Sequence, residues 1–275
     1  GGERGSEMFR KILVATDNSL LMDNIIRYSS LLFPQAEFHV INVIDTSRGN
    51  VPLSSLVRST LEGLAREAVD RAAKILAEMG NGAVKATPSG RPSAEILNYI
   101  SQNEIELLVM ATHSKGGTQA LHIGRCCARI LEHSRCPIML FNKPAKLERP
   151  KRILNPTSGS KYSHQGSLLA ASLANNLGAS LTALFFGELA AAEEEIAYVE
   201  GLAQALKVPL TTEVCAGDPE RCIIEHAKEH DLMVGSRGRK GLAYKLRFLL
   251  PPLALGRLER KVIVESTIPF IMGVP

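Results

Sequence analysis

Two similar stretches decide the fold: Asp231-Leu-Met-Val-Gly-Ser-Arg-Gly-Arg-Lys-Gly241 and an earlier, less complete copy, Leu107-Leu-Val-Met-Ala-Thr-His-Ser-Lys-Gly-Gly117. Each is a short apolar run that opens into a small, basic, glycine-containing loop. A Gly-Arg pair heads the helix-like segment that follows, at Gly124-Arg125 and at Gly256-Arg257. A buried strand, a loop and a helix start bring backbone N–H groups and the positive end of a helix to one point. The pattern predicts an anion site, typically for phosphate, and its weight comes from occurring twice.

Length and composition favour two domains of ordinary soluble character. The 275 residues suit two α/β domains of about 130–140 residues each better than one. The net charge is only +4, and no block of Lys or Arg resembles a nucleic-acid tail. Aromatic residues are few and Trp is absent, so we expect no nucleic-acid partner.

Cysteine usage and the start of the chain favour a cytoplasmic location. The five cysteines are odd in number and form no CxxC pair, which is typical of reduced core thiols. The polar residues 1–7 show no secretory signal. The longest apolar run, residues 246–255, contains Arg247 and a Pro pair and is too short to span a bilayer. We expect it to be a lid or a contact surface on the partner domain; the alternative is a membrane-touching loop.

Apolar runs alternate with amphipathic segments along the first half. We predict strands at residues 10–16, 37–44, 83–87, 106–112 and 137–141. Helices are predicted at residues 20–33, from Pro92 onward and at residues 124–133. A further long helix carries an apolar stripe of Val57, Leu61, Leu64, Ala68, Ala72, Ile75 and Met79. This alternation predicts a parallel sheet with helices on both faces.

After a Pro- and Lys-rich joint at residues 142–150, the same pattern begins again. Gly217-Asp-Pro219 repeats Gly90-Arg-Pro92, and Ile268-Pro269 near the end of the chain repeats Cys136-Pro137. Strands are predicted at residues 151–156, 179–186, 210–215 and 267–272, with helices at residues 168–177 and 189–206. The chain is therefore read as a duplication with domains at residues 8–146 and 147–275.

Two halves with this strand order, a Gly-x-Pro before the third helix and a Pro-led last strand resemble the universal stress protein family. The resemblance covers residues 9–274 as a tandem pair. It implies two five-stranded parallel sheets of the adenine-nucleotide alpha hydrolase-like, Rossmann-like type, packed as a pseudo-dimer. It also implies that the last strands, Ile138–Phe141 and Phe270–Gly273, form the contact edge, because an open apolar edge strand invites aggregation. Two such chains are expected to pair again as a homodimer through edge strands.

Nucleotide-binding members of that family carry Gly-x2-Gly-x9-Gly-(Ser/Thr) and an Asp after the first strand. The glycines let the backbone approach the phosphates, and the hydroxyl completes the cradle at a helix start. In the first half, Asp17 and Val43 match the positions that line the base, but the loop reads Ala111-x2-Ser114-x9-Gly124-Arg125. The implied ligand is ATP or AMP, at a site that has lost both loop glycines and the hydroxyl.

The second half departs from the motif in a complementary way. Gly235-x2-Gly238 survives, but Ser158 replaces the Asp and bulky Phe185 is aligned with Val43. An insertion that includes Pro251-Pro252 separates Gly238 from Gly256-Arg257. The sequence therefore favours base recognition in the first half and phosphate contact in the second.

Several of these side chains have a binding interpretation and a structural one. Asp17 either contacts the adenosine or caps the following helix. The loop charges either meet phosphate or are solvated (His113, Lys115, Arg237, Arg239 and Lys240). Arg125 and Arg257 each stand at the start of a helix, where the helix dipole destabilises a positive charge by about 0.3 kcal/mol. We hypothesise that these guanidiniums replace the hydroxyl as anion ligands; the alternative is that Arg125 pairs with Asp17 and closes the site.

The sequence predicts a non-catalytic stress-response or regulatory protein with a partly degraded adenine-nucleotide site. The candidate contacts are Asp17, Val43, Ala111, Thr112, Ser114, Gly124, Arg125, Gly235, Ser236, Gly238, Gly256 and Arg257. No catalytic triad, paired acids or metal-ligand spacing is found, so neither catalysis nor a metal is expected, with weak ATP hydrolysis left open. The alternative function is a nucleotide-independent interaction module, for example the cytosolic part of a transporter. An adenylyl transferase would need a basic or metal-binding motif that is not found.

Overall fold

Strands and helices alternate along both halves of the chain. The computed structural model describes residues 8–47, 54–113, 123–158, 163–186, 189–215, 217–237 and 257–274. The first half contains β1 (Lys11–Ala15), α1 (Leu20–Leu32), β2 (Glu37–Ile41), β3 (Ile44–Asp45), α2 (Ser55–Glu78), β4 (Ala83–Ala86), β5 (Ser89–Gly90), α3 (Pro92–Gln102), β6 (Leu107–Ala111), α4 (Arg125–His133) and β7 (Ile138–Phe141). The second half contains β8 (Arg152–Thr157), α5 (His164–Leu177), β9 (Ser180–Phe185), α6 (Leu189–Leu206), β10 (Leu210–Val214), α7 (Pro219–Ala227), β11 (Leu232–Ser236), α8 (Arg257–Glu265) and β12 (Phe270–Gly273).

Ten of these strands form one sheet, with the order β10-β9-β8-β11-β12-β7-β6-β1-β2-β4. Each half contributes five parallel strands in the same order, counted outward from the centre. The halves meet where β7 and β12 pair antiparallel, with Leu140 beside Phe270 and Ile138 beside Met272. The predicted fold class and the predicted contact edge are thus confirmed, while the division at residues 146 and 147 stays a prediction.

Helices cover both faces of the sheet, as the alternation of elements predicts. Ile12 and Val14 of β1 face one apolar layer, and Leu13 between them faces the other. The first layer includes residues of α1, α2, α5 and α6, and the second includes residues of α3, α4, α7 and α8. The central strands are therefore buried on both sides, which explains why they read as continuous apolar runs, whereas the edge strands β4 and β10 are partly exposed.

The buried face of α2 differs from the predicted stripe. Its buried residues are Ala65, Ala68, Val69, Ala72, Ile75 and Leu76. Val57 and Leu64, predicted to be buried, are 44% and 54% exposed. A helix of 24 residues is about 36 Å long, whereas a strand of five residues such as β2 spans about 17 Å. The first turns of α2 therefore extend past the sheet that they were expected to cover.

Gly166 of α5 lies against the carboxyl end of β11. A Cβ atom at this position would lie 2.5 Å from the Ser236 backbone nitrogen and 2.8 Å from the Gly235 carbonyl carbon. Because both contacts are with backbone, we expect Gly166→Ala to lower the free energy of unfolding by about 1–3 kcal/mol in urea titrations. Gly201→Ala on α6 is the control, since nothing lies within 4 Å and alanine should stabilise that helix. Similar effects of the two substitutions would contradict this packing.

Candidate functional site

The carboxyl end of β1 leads into a turn that holds Asp17. One Asp17 carboxylate oxygen accepts the Ser19 N–H at 3.0 Å, and the Ser19 hydroxyl accepts the Met22 N–H at 3.3 Å. Ser19 is thus the N-cap of α1, and Asp17 shapes the turn before it. Asn42, just beyond β2, donates its side-chain amide to the Thr16 carbonyl at 2.7 Å. This bond ties the ends of β1 and β2 together, next to half-buried Val43.

The carboxyl end of β6 connects to the start of α4. Ala111 and Thr112 are buried, and the Thr112 hydroxyl lies 2.7 Å from His113 Nδ1. The Gly124 N–H donates to the Thr112 carbonyl at 3.1 Å, and a Cβ on Gly124 would lie 3.4 Å from that oxygen. Gly124 is the N-cap residue of α4 and, being glycine, has no side chain with which to cap this helix start. Ser114, which follows in the motif, lies outside the described residues.

Arg125 occupies the first position of α4, and its side chain is exposed. Among the described residues no ion pair joins it to Asp17, so the closing pair considered as an alternative is not formed. Arg257 likewise opens α8, although its side chain lies outside what the structure describes. Gly238, Gly256 and the remaining cations of the two loops (Lys115, Arg239 and Lys240) also lie outside that part.

The sheet register sets the correspondence between the two halves. Leu108 of β6 pairs with Ile138, and Met233 of β11 pairs with Phe270. Ile138 and Phe270 each follow the proline that precedes the last strand of a half. Leu108 and Met233 are therefore equivalent, and β11 reaches its glycine one residue earlier than the motif implied.

Gly235 consequently corresponds to Met110, and Ser236 corresponds to Ala111. The motif alignment, which equates Gly235 with Ala111, is one residue out of register with the sheet. The end of β11 is also covered, because Gly166 of α5 packs directly on the Gly235–Ser236 backbone. This leaves less room for an anion at Gly235 than the motif suggested.

The same register corrects the residue aligned with Val43. Val43 lies six residues after Glu37, which forms the first pair between β2 and β1. Phe186 lies six residues after Ser180, which forms the first pair between β9 and β8. Phe186 is half-buried, whereas Phe185 is fully buried in the core and corresponds to Asn42. In the second half, the position equivalent to Val43 is therefore occupied by a bulky ring, but this ring belongs to Phe186.

A buried carboxylate lies beneath the end of β8, and the sequence analysis missed it. Glu195 of α6 is fully buried, and its Oε1 accepts the hydroxyls of Thr157 at 3.0 Å and Ser167 at 2.9 Å. Its Oε2 lies 2.8 Å from His164 Nε2, and the His164 ring stacks on Tyr198 with centroids 4.1 Å apart. Burial raises the pKa of the Tyr198 hydroxyl, and the Glu195 charge raises it further. The equivalent residue in the first half is Ala68 of α2, which lies as far before β4 as Glu195 lies before β10. At this position the first half therefore has no polar counterpart of this Glu195 cluster.

Arg237 belongs to the interface between the halves. Its guanidinium donates to the carbonyl of Leu131 and, at 3.1 Å, to that of Ser134, both at the end of α4. Asn142 reciprocates, because its side-chain amide donates to the Val264 carbonyl near the end of α8. The last carbonyls of each helix are thus capped by the opposite half, which stabilises the interface. Arg237 holds this contact rather than reaching a phosphate.

No disulfide links the five cysteines, and burial raises the pKa of the Cys127 thiol well above its usual range. In the ranges that the structure covers, no three Cys, His, Asp or Glu side chains are grouped as a metal would need. Over the same ranges, no helix is both long and apolar enough to cross a bilayer.

The fold defines a Rossmann-like α/β protein of the adenine-nucleotide alpha hydrolase-like class. A model of the universal stress protein family matches residues 8–142. A universal stress protein of Methanocaldococcus jannaschii is 25% identical over 148 residues, which make up 52% of this chain and 87% of that protein. A solved universal stress protein of Archaeoglobus fulgidus is 18% identical, with a TM-score of 0.77 and 96% of both chains covered. A functionally unknown protein of Pseudomonas aeruginosa PAO1 is 16% identical, with a TM-score of 0.62 over 99% of this chain and 95% of that one.

Residues 8–142, the first half of the chain, belong to the universal stress protein family. The second half repeats the strand order of the first. The A. fulgidus structure shares the fold over nearly the full length. The family resemblance found in the sequence is confirmed.

Proposed function

We propose that this protein binds an adenine nucleotide, ATP or AMP, in the cleft of its first half and acts as a non-catalytic regulatory protein. The observation that carries the proposal is the position of this cleft. The chain leaves β1 toward α1 on one face, whereas β6 leads to α4 on the other face. Between two such strands the loops diverge, and α/β sheets bind ligands in the crevice at their carboxyl ends.

The groups at this crevice suit a nucleotide. Asp17 and Val43 stand at the ends of β1 and β2, where they can contact a base or ribose. The start of α4 offers N–H groups with no side-chain cap at Gly124, which favours a phosphate. His113 Nε2 is buried and has no hydrogen-bond partner among the described residues, so a further polar group is available at the end of β6.

The second half supports a nucleotide less well. Ser158 and Phe186 stand where the first half has Asp17 and Val43, and the Glu195 cluster places a carboxylate under the same strand end. A buried negative charge disfavours phosphate nearby. We therefore propose one nucleotide per chain, instead of the phosphate contact at Gly235 that the motif suggested.

Asp17→Ala and Ser19→Ala form a matched test, read by thermal shift and calorimetry with ATP and AMP. Nucleotide at 100 times its Kd should stabilise the wild type by about 2.7 kcal/mol. Asp17→Ala should weaken binding about tenfold, since it removes a charged hydrogen-bonding group. Ser19→Ala removes only the helix cap, so it should cost about 1 kcal/mol of stability and leave nucleotide affinity unchanged.

Other outcomes would redirect the proposal. Equal nucleotide affinity in wild type and Asp17→Ala would remove Asp17 from the site. A wild type that neither ATP nor AMP stabilises would favour the nucleotide-independent interaction module. Phosphate release from ATP above the protein-free background would contradict a non-catalytic role.

A cytoplasmic, homodimeric protein remains part of the proposal, with one change to the expected contact. The strands β7 and β12 were expected to serve as contact edges, and they pair with each other within one chain. A second chain must therefore dock on another surface. Sedimentation equilibrium would measure whether it does.

A further inference from the structure

A pocket of about 590 Å³ lies where the chain passes from one half to the other. We call it the junction pocket. Its walls are Tyr28 of α1, the connecting residues Pro144, Ala145, Lys146, Glu148, Arg149, Lys151 and Arg152, and residues before β11 and β12, namely His230, Asp231, Thr267, Ile268 and Pro269. Its volume is in the range of small-molecule sites, about 300–1,000 Å³. None of the proposed nucleotide contacts that the structure describes lines it.

Positive charge exceeds negative charge around the junction pocket. Four cationic side chains line it, against the two carboxylates of Glu148 and Asp231. Glu148 is engaged, because its Oε2 lies 2.9 Å from Lys146 Nζ. The other three cations, Arg149, Lys151 and Arg152, make no ion pair with any residue that the structure describes. Among the described residues, three cations without an ion pair and the Asp231 carboxylate therefore line the pocket, an excess of two positive charges.

Comparison with the first half shows why one of these cations is uncompensated. Arg10 and Glu106 occupy the positions there that Lys151 and Asp231 occupy in the second half. The Arg10 guanidinium donates to Glu106 Oε1 at 2.9 and 3.2 Å, in addition to the backbone N–H bond to Oε2. The shorter Asp231 instead accepts only the backbone N–H groups of Lys151 and Arg152, at 2.9 and 3.0 Å. The substitution of Glu by Asp thus frees the cationic side chain for another anion.

Tyr28 adds a hydrogen-bonding group to the wall of the pocket. Its side chain is only 2% exposed, and its ring packs edge-on against Phe141 with centroids 5.8 Å apart. Its hydroxyl makes no hydrogen bond with any described residue, and because it is not one of the fully enclosed atoms, it can meet a molecule in the pocket. Burial, with a smaller effect of Asp231, raises the pKa of this hydroxyl, so it remains a hydrogen-bond donor. The donor lines a pocket that also contains three cations without an ion pair and the Asp231 carboxylate.

We propose that the junction pocket binds a small soluble molecule that carries phosphate, either a phosphomonoester or a polyphosphate. Two guanidiniums and a lysine match phosphate, which arginine binds through a planar fork and lysine as a point charge. The Tyr28 hydroxyl donates a further hydrogen bond from the pocket wall. The pocket is larger than one phosphate, so it accommodates the organic part of the molecule or a second phosphate.

Isothermal titration of the full chain with inorganic pyrophosphate tests the proposal. The wild type should show saturable binding. Arg149→Gln/Arg152→Gln should weaken it about 100-fold, because two charge-assisted hydrogen-bonding groups are lost. Tyr28→Phe keeps the ring packing and removes only the hydroxyl, so it should weaken binding about tenfold.

Arg66→Gln/Lys74→Gln is the charge-matched control, because both residues are exposed cations on α2, away from the pocket. This variant should bind pyrophosphate like the wild type. Equal affinity in Arg149→Gln/Arg152→Gln and the wild type, equal losses in both double variants, or no binding by the wild type would overturn the proposal. Phosphatidic-acid vesicles separate the two sources of phosphate: binding to pyrophosphate without binding to vesicles is expected, and the reverse result would also overturn it.

Discussion

Replacing His164 by alanine is expected to lower the free energy of unfolding by about 3 kcal/mol. The substitution removes the imidazole that lies 2.8 Å from the fully buried Glu195 carboxyl group. Two hydroxyls remain as donors to Oε1, but Oε2 loses its polar neighbour, and a buried carboxyl oxygen without one is costly. We take the lower end of the usual range, because His164 itself is 32% exposed and solvent weakens its contact with Glu195.

Urea unfolding of the double variant His164→Ala/Glu195→Gln separates charge from packing. Glutamine keeps an acceptor for Thr157 and Ser167 but carries no charge, so the double variant should be more stable than His164→Ala alone. His133→Ala is the control, since that side chain is 59% exposed and lies 3.9 Å from its carboxylate neighbour. A double variant less stable than the single one would mean that His164 acts through its contact with Tyr198 instead.

Ile271→Lys should have a still larger effect, a loss of more than about 4 kcal/mol. Ile271 of β12 pairs with Met139 of β7, and both side chains are fully buried where the halves meet. A lysine there places an unpaired charge in the core and weakens the antiparallel junction. The change is read by urea unfolding and by size-exclusion chromatography, which should show an expanded chain.

Val84→Lys is the matched control for that substitution. Val84 lies on β4, at the outer edge of the sheet, and is 47% exposed. Lysine can reach water from this position, so the free energy of unfolding should change by no more than about 0.5 kcal/mol. If both lysine variants were equally stable, the junction would not contribute to holding the halves together.

The fold could be predicted because its signals are local. Short apolar runs ended by Asp17 or by a glycine-rich loop mark strands buried on both faces, and Pro92 and Pro219 mark helix starts. The duplication then fixes the pairing of the last strands, since each half carries the same Pro-led edge. The length of α2 was harder to judge, because an apolar stripe continues into turns such as the one at Leu64 that no strand lies beneath.

The site was predicted less well, because its details depend on register and on distant contacts. A motif match counts residues along the loop, whereas the hydrogen bonds of β11 and β12 show that Gly235 stands one position earlier. Glu195 was missed because it lies in a run of three glutamates that resembles a solvated helix face. Its spacing of four residues to Val199 and eight to Ala203, both buried, is the signal that could have identified it.

The junction pocket has no signal in the sequence. Tyr28 and Asp231 are about 200 residues apart, and only the completed fold brings them together. Lys151 and Arg152 look like ordinary surface charges next to a strand. What distinguishes them is their neighbour Asp231, whose side chain is too short to bind both the backbone N–H groups and a cationic side chain. This difference becomes visible only when Asp231 is compared with Glu106.

The antiparallel junction has a consequence for the chain as it is made on the ribosome. β7 is complete by residue 141, but its partner β12 begins only at residue 270. During the synthesis of the intervening residues, the nascent first half carries an apolar strand with one unsatisfied edge. On crowded polysomes, this open edge would favour exchange of β12 between neighbouring chains, which would produce entangled dimers. Slow translation of the second half would promote this exchange.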